Sequence, residues 1–384
     1  ALDFQLMNEL EITTWRGSFG WDDYEPVQGQ YDFAWLHDFA NLADQYGIML
    51  RPYICYAPEW AGDGMWNSPP NDFENWYNFC YNLATAMSIH PNILSYEIWN
   101  EENVQSWFDG TVDQYKELLL QGATVIRTID PSKEILLGGF TEPDHEYLNE
   151  LTSAGYAQFY DITPFHCYAE TWTYPNVYME NYLGDDYLNL FVSNNNDVGE
   201  GEPIWVNEIG YATYYKTEED QANFMCRAIS ALLADAEVEH IGWYEIKDLP
   251  EGSPIIGDEA NYYLGITYTD RTKKLAFYTL DMLTDFFDGN TITTADAEVT
   301  VTRTSGRSKK QYYHLLKYQD DSQFLFVYAK DNDCTVNIEL TTPGTIAYKY
   351  ELNGSSSVYS SFDNNTISNL ELTKGNVALF KIVP

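Results

Sequence analysis

Short apolar runs alternate with amphipathic helical patterns over the first three-quarters of the chain. Runs rich in β-branched and aromatic residues predict strands at Thr13–Phe19, Ile48–Tyr56, Ile93–Asn100, Glu134–Gly139, Tyr160–Tyr168, Pro203–Gly210 and His240–Lys247. Between them apolar residues recur at three- and four-residue spacing. Phe33–Tyr46, which reads FAWLHDFANLADQY, is predicted helical, as are Asp72–Ser88 and Val112–Thr128. Asp130-Pro131 closes the last of these, because the residue before a proline resists helical geometry. Such alternation builds a parallel sheet with helices outside it, and its continuation over residues 1–289 predicts a (β/α)8 TIM barrel. Seven strands are predicted where that barrel has eight. The chain opens on a helical pattern, Leu2–Leu10, so the first barrel strand is expected upstream of Ala1 or from another segment.

The texture changes after about Gly289. Short strand-like runs follow at Gln311–Tyr318, Gln323–Tyr328, Thr335–Leu340, Ile346–Glu351, Ser357–Ser361 and Val377–Ile382. Asp320-Asp321, Asp331-Asn332-Asp333 and Asn353-Gly354 punctuate them as turns. Residues 290–384 are expected to form a small all-β sandwich appended to the barrel.

Composition narrows the partners. Acidic residues number 59 against 20 basic, a net charge of −39. Such a surface repels phosphate backbones and anionic lipid, so neither nucleic acid nor membrane is an expected partner. It equally disfavours a polyanionic substrate. No apolar run is long enough to span a bilayer. No leader pattern opens the chain, so any leader is expected to have been removed, and a secreted or extracytoplasmic location is expected. The five cysteines are scattered, without metal-ligand spacing, and are expected to be buried thiols. Aromatic residues reach 16%, an excess that serves a core and also suits the stacking of sugar rings. Oligomeric state leaves no signature in the sequence.

Barrel enzymes carry their active sites at the C-terminal ends of the strands. The third predicted strand runs into Trp99-Asn100-Glu101-Glu102-Asn103, and the sixth into Val206-Asn207-Glu208-Ile209-Gly210. Most acidic residues in so acidic a chain are solvated loop carboxylates. These two differ, because an apolar strand delivers each to the barrel mouth beside an asparagine. A pair of carboxyl groups, one protonated and one ionised, is what glycosidic cleavage requires. There is no HExxH, no phosphate-binding glycine loop and no histidine pair at ligand spacing, so no metal or other cofactor is expected.

ILSYEIWNEEN resembles the fourth strand of clan A glycoside hydrolases, which ends in the acid/base Asn-Glu pair, and PIWVNEIGYAT resembles their seventh, which ends in the nucleophile. WRGSFGWDDYEPVQGQYDFAWLHDFANLADQYGIMLRPYICYAPEWA resembles the second and third strands of the family 39-like members, and GWYEIKD with YYLGITYTDRTKKLAFYTL their eighth strand and closing helix. The resemblance spans most of residues 1–289. It implies Glu101 as general acid/base and Glu208 as nucleophile, with Asn100 on the sugar 2-hydroxyl and Arg16 keeping Glu208 ionised. It further implies Tyr168 as a donor to the nucleophile, His166 at the site and Trp243 as the floor beneath the bound sugar. Trp21, Tyr56, Trp60 and Trp172 are expected in the cleft walls. One departure is Glu102, where proline is usual. The implied activity is a retaining glycoside hydrolase acting on a neutral β-linked oligo- or polysaccharide, with endo action favoured. An exo-acting β-glycosidase such as a β-xylosidase is the alternative. A non-catalytic carbohydrate-binding barrel is an alternative of another class.

Overall fold

The computed structural model describes residues 1–172, 179–183, 187–235, 237–255, 257–287 and 289–384, except for the side chains of 181 and 182. The chain divides into two compact units. The first comprises Ala1–Asn8, Ile12–Ile209 and Glu239–Trp243, and the second Glu9–Glu11, Gly210–Val238 and Tyr244–Pro384.

Among the described residues of this region seven strands follow one another: β1 (Thr14–Ser18), β2 (Met49–Ile54), β3 (Ser95–Ile98), β4 (Glu134–Leu136), β5 (Thr163–Cys167), β6 (Ile204–Ile209) and β7 (Val238–Trp243), with β1 to β4 mutually parallel and β5 parallel to β6. β1 to β4 form one sheet in sequence order, and β5 to β7 another. Single parallel bridges, Leu136 to Ile162 and Phe140 to Phe165, connect the end of the first set to the start of the second. Among the described residues no ladder joins β7 to β1, so the hydrogen-bonded set is an arc of seven strands and not a closed ring of eight. Leu2–Glu9 is helical, as its pattern predicts.

The strands are shorter than their apolar runs. β2 stops at Ile54, β3 at Ile98 and β7 at Trp243, before the expected ends at Tyr56, Asn100 and Lys247. Beyond β3 the chain stays buried through Trp99, Asn100 and Glu101, and beyond β2 through Cys55, whereas residues 244–247 after β7 are only half-buried. Helices in the first unit are set by side-chain caps. Asp72 accepts from the Glu74 N–H to start Phe73–Met87, and Thr111 and Gln114 form a reciprocal capping box at the head of Val112–Ile129. The latter buries Tyr115, Leu118, Leu119 and Ile126 on one face, leaving its polar residues to solvent.

In the second unit ten strands, β8 to β17, run from Thr293 to Val383. One six-stranded sheet orders them β14-β13-β17-β11-β10-β8, and a four-stranded sheet β15-β16-β12-β9. Four of these were not evident from the sequence: β8 (Thr293–Thr294), β9 (Val299–Gly306), β15 (Phe362–Asp363) and β16 (Thr366–Leu372). β9 and β16 are rich in Thr, Ser and Asn, and β16 pairs with β12 (Cys334–Leu340) across a register shift that breaks the alternation. The sandwich core includes Leu315, Leu325, Val327, Val336, Ile338, Ile367 and Phe380. β11 (Gln323–Ala329) is buried along its whole length. Leu325, Val327 and Ala329 face that core, while Phe324 and Phe326 meet Phe287 at the end of the helix Leu275–Phe287.

Candidate active site

All the residues that converge here belong to the first unit. Arg16 projects from β1, Glu97 from β3, Asn100 and Glu101 from the turn after it, His166 from β5, Tyr168 from just beyond, and Asn207 and Glu208 from β6.

Arg16 is the hub. Its Nε donates to Glu97 Oε2 at 2.8 Å and one Nη to Glu97 Oε1 at 2.5 Å, a bidentate fork. The same Nη donates to Asn100 Oδ1 at 3.0 Å. The other Nη donates to Glu208 Oε1. The guanidinium also lies over the Tyr53 ring, 4.4 Å from its centre. Burial alone would lower the Arg16 pKa, but Glu97 and Glu208 outweigh that and drive it well up.

Glu208 is held from both sides, because Tyr168 donates its hydroxyl to Oε2 at 2.6 Å. Burial works to raise the Glu208 pKa. His166, the Arg16 charge and the hydrogen bonds from Tyr168 and Arg16 prevail and hold it below the usual carboxylate range. Glu97 is the reverse case: burial raises it despite Arg16.

Glu101 faces this group across His166, whose Nδ1 lies 2.7 Å from Glu101 Oε1 and 3.7 Å from Glu208 Oε2. The other ring nitrogen, Nε2, faces an Arg16 Nη at 3.4 Å. A guanidinium has only donors, so Nε2 accepts there and the ring proton sits on Nδ1, directed at Glu101. One oxygen each of Glu101 and Glu208, with a ring nitrogen of His166, lie within 4.8 Å of one another. Among the described residues this is the one group able to hold a metal ion, yet Arg16 already brings positive charge to it.

The backbone at Glu101 is unusual. Trp99 and Glu101 both have positive φ, 73° and 52°, a region costly for residues with a side chain. Tertiary contacts enforce it: the Glu101 N–H donates to Gly138 O at 2.7 Å, and the Trp99 ring N–H to Trp107 O at 3.0 Å. Gly139 is also left-handed, and a Cβ there would come within 2.4 Å of His166 Nε2. Glycine at this point lets the β4 loop pass close behind the histidine.

Of the residues expected from sequence, the structure brings together Arg16, Asn100, Glu101, His166, Tyr168 and Glu208. Trp172 packs edge-on to Tyr168 at 4.7 Å and is 38% exposed. Tyr56 is beside Asn100, with its hydroxyl 3.4 Å from Asn100 Nδ2. Trp66 and Trp107 pack against Tyr56 in turn. Trp243 stands half-buried at the end of β7, next to β6 in the sheet. Trp21 requires correction. It is wholly buried among Trp60, Trp76 and Phe79, with its ring N–H on Glu25, so it offers a cleft no surface. Trp60 is pinned alongside by a bond from its ring N–H to the Glu25 carbonyl. Tyr174, which the sequence places among the aromatic residues near the strand ends, lies outside the described residues.

Sequence reasoning missed Glu97, Asn207 and the role of Gly139. Asn207 donates to Glu97 Oε2 at 2.8 Å and so braces the Arg16 fork. A signal for Glu97 was present: it interrupts the apolar run ILSYEIW in mid-strand, where a charge survives only with a partner.

A β-galactosidase family model, that of glycoside hydrolase family 42, matches residues 1–65. No curated protein matches the chain. Among solved structures, a family 39 glycoside hydrolase from the gut symbiont Bacteroides cellulosilyticus WH2 is 18% identical over 100% of this chain and 77% of its own, with a TM-score of 0.76. A family 39 β-xylosidase from Caulobacter crescentus is 14% identical over 99% and 91%, with a TM-score of 0.63. A family 30 endoxylanase from Clostridium papyrosolvens C71 is 12% identical over 100% and 93%, with a TM-score of 0.62. At these identities the likeness establishes a shared fold: parallel strands with outer helices, followed by an antiparallel β region.

Proposed function

We propose that this chain is a retaining glycoside hydrolase that cleaves β-linked bonds in a neutral glycan, with Glu208 as nucleophile and Glu101 as general acid/base. The observation that carries the proposal is the spacing of the two carboxyl groups, one oxygen of each within 4.8 Å of the other. Retaining enzymes hold the pair about 5–5.5 Å apart, and inverting ones leave about 6.5–9.5 Å for a water. The similarity to glycoside hydrolases of families 39 and 30 agrees with the reaction class.

Each residue then has a task. Glu208, kept ionised by Arg16 and Tyr168, attacks the anomeric carbon as the glycosidic bond breaks. Glu101 gives its proton to the departing oxygen. His166 occupies Oε1 of Glu101, which leaves Oε2 to carry that proton to the sugar. In the second step Glu101 takes a proton from water, and the hydroxide so formed releases the sugar from Glu208. Asn100, fixed through Oδ1 by Arg16, gives one Nδ2 hydrogen to the Tyr56 hydroxyl and keeps the other for the 2-hydroxyl. Trp172 on one side, and Tyr56 with Trp66 and Trp107 on another, supply aromatic faces for more than one ring. These faces favour endo action, and the β-xylosidase relative keeps exo action as the alternative.

The test is a 2-fluoro glycoside with an activated leaving group. Covalent labelling at Glu208, located by peptide mass, is the expected result. Hydrolysis with inversion and no adduct would overturn the proposal. Product lengths from neutral β-linked oligosaccharides then decide endo against exo: internal cleavage is expected, and release of single terminal sugars alone would refute it.

A further inference from the structure

Glu102, immediately after the proposed acid/base, plays no part in the chemistry above. Its carboxyl is buried, with the residue only 3% exposed. Oε1 accepts the Gly138 N–H at a long 3.3 Å, and Oε2 has no hydrogen-bond partner. Oε2 lies over Gly138, where a Cβ would come within 2.2 Å of it. Gly138 is the residue that sets Glu101, because its carbonyl accepts the Glu101 N–H and helps hold the left-handed turn. Gly138 is thus clamped at both ends, its carbonyl by Glu101 and its N–H by Glu102 and by the Tyr115 hydroxyl at 3.0 Å.

We propose that Glu102 works in its neutral form as a positioning residue for Glu101, and that its ionisation in alkaline solution loosens the Glu101 turn and lowers turnover. The kinetic half of this proposal rests on the glycosidase reading, and the structural half does not.

The surroundings favour the neutral acid. Glu97 faces Glu102 from β3 and Glu101 precedes it. Tyr115 comes from the helix Val112–Ile129, and Tyr147 from the helix His145–Ser153. Asp113 and Glu150 line the same cavity, and Lys116 is paired with both of them. Among the described residues no cation is paired with Glu102. Burial pushes its carboxyl up to about 8, only partly offset by the N–H and hydroxyl groups around it. Burial first, and then the Glu102 charge, push the Tyr115 and Tyr147 hydroxyls up as well, so the carboxyl loses its proton before they do. The proton leaves to water in a cavity of about 550 Å³ lined by Glu102, Asn103, Asp113, Tyr147 and Glu150. The single long bond from the Gly138 N–H offsets little of the cost of a buried carboxylate whose second oxygen is unsatisfied, so the ionised group turns toward that water and releases the N–H.

The deciding experiment compares the wild type with Glu102→Gln, which keeps shape and neutrality. In carboxyl-labelled protein, a carbon-13 signal titrating near pH 8 is expected in the wild type and absent from the variant. The Glu101 and Gly138 amide signals should move with the same midpoint, and only in the wild type. With an activated aryl glycoside kcat reads the second step, in which Glu101 takes the proton from water, and wild-type kcat should fall about tenfold from pH 7 to pH 9, as one group titrating near 8 requires. KM should change little, and Glu102→Gln should hold its kcat over that range. Identical amide titrations in the two proteins, or identical alkaline limbs, would overturn the proposal. If every glycoside proves inert, the glycosidase reading fails while the amide titration still decides the role of Glu102.

Discussion

At Glu208 two neutral or cationic donors act on one carboxylate, and they can be separated. Tyr168 supplies a hydrogen bond of 2.6 Å without charge. A bond to a charged group contributes about 1.5–3 kcal/mol net, or about one to two pH units. Glu208 lies below its ordinary pKa because donors favour its ionised form, so removing one must raise it. Tyr168→Phe should therefore move the acidic limb of kcat/KM upward by that amount, with little change on the alkaline side. A pH profile with the acid limb unmoved would disprove the contact's electrostatic role. At Glu101 the expectation concerns the leaving group. Glu101→Gln should slow cleavage of unactivated glycosides about 10²- to 10⁴-fold. It should spare the first step with dinitrophenyl glycosides, which depart unaided. Single-turnover rates on the two substrate types distinguish this outcome from general damage.

Elements position these residues through close backbone approaches that only glycine allows. Gly139→Ala places a methyl against His166 and forces a left-handed alanine, which costs about 1–3 kcal/mol. The expected result is a lower melting temperature together with a fall in kcat exceeding any change in KM, since His166 contacts Glu101 directly. In the second unit β11 is buried on both faces, one in the sandwich core and one against the helix Leu275–Phe287. Leu325→Ala should therefore cost about 2–5 kcal/mol and Phe326→Ala about 3–5 kcal/mol, although they point opposite ways. Denaturant titration checks this. A near-neutral Phe326→Ala would mean that the outer face is not part of a core. The run QFLFVY carried this signal, because an unbroken apolar strand is one covered on both sides.

For the whole molecule, a net charge of −39 repels any anionic chain over a Debye length, about 8 Å at physiological salt. Rates on a neutral glycan should be nearly independent of ionic strength between 10 and 300 mM salt. Any activity on a polyuronate should be weak at low salt and rise as salt screens the repulsion. Strong low-salt activity on a polyuronate would refute the charge argument. The strand–helix alternation, the change to β texture near residue 290, and the Asn-Glu pairs at two strand ends were all determined by the sequence alone. Each is a local pattern, fixed by which side chains can leave water and by where an apolar strand stops. The hydrogen-bonded arc was decided by tertiary structure, since strand pairing depends on partners far along the chain. So was the burial of Trp21, which the sequence placed in the cleft wall and the packing of Trp60, Trp76 and Phe79 takes into the core. The Arg16 fork on Glu97, the left-handed turn at Glu101 and the trapped carboxyl of Glu102 likewise arise only when β1, β3, β4, β5 and β6 are brought side by side. In a chain with 59 acids, sequence shows that a glutamate is present. Its charge state follows from the burial and donors that the folded neighbours impose.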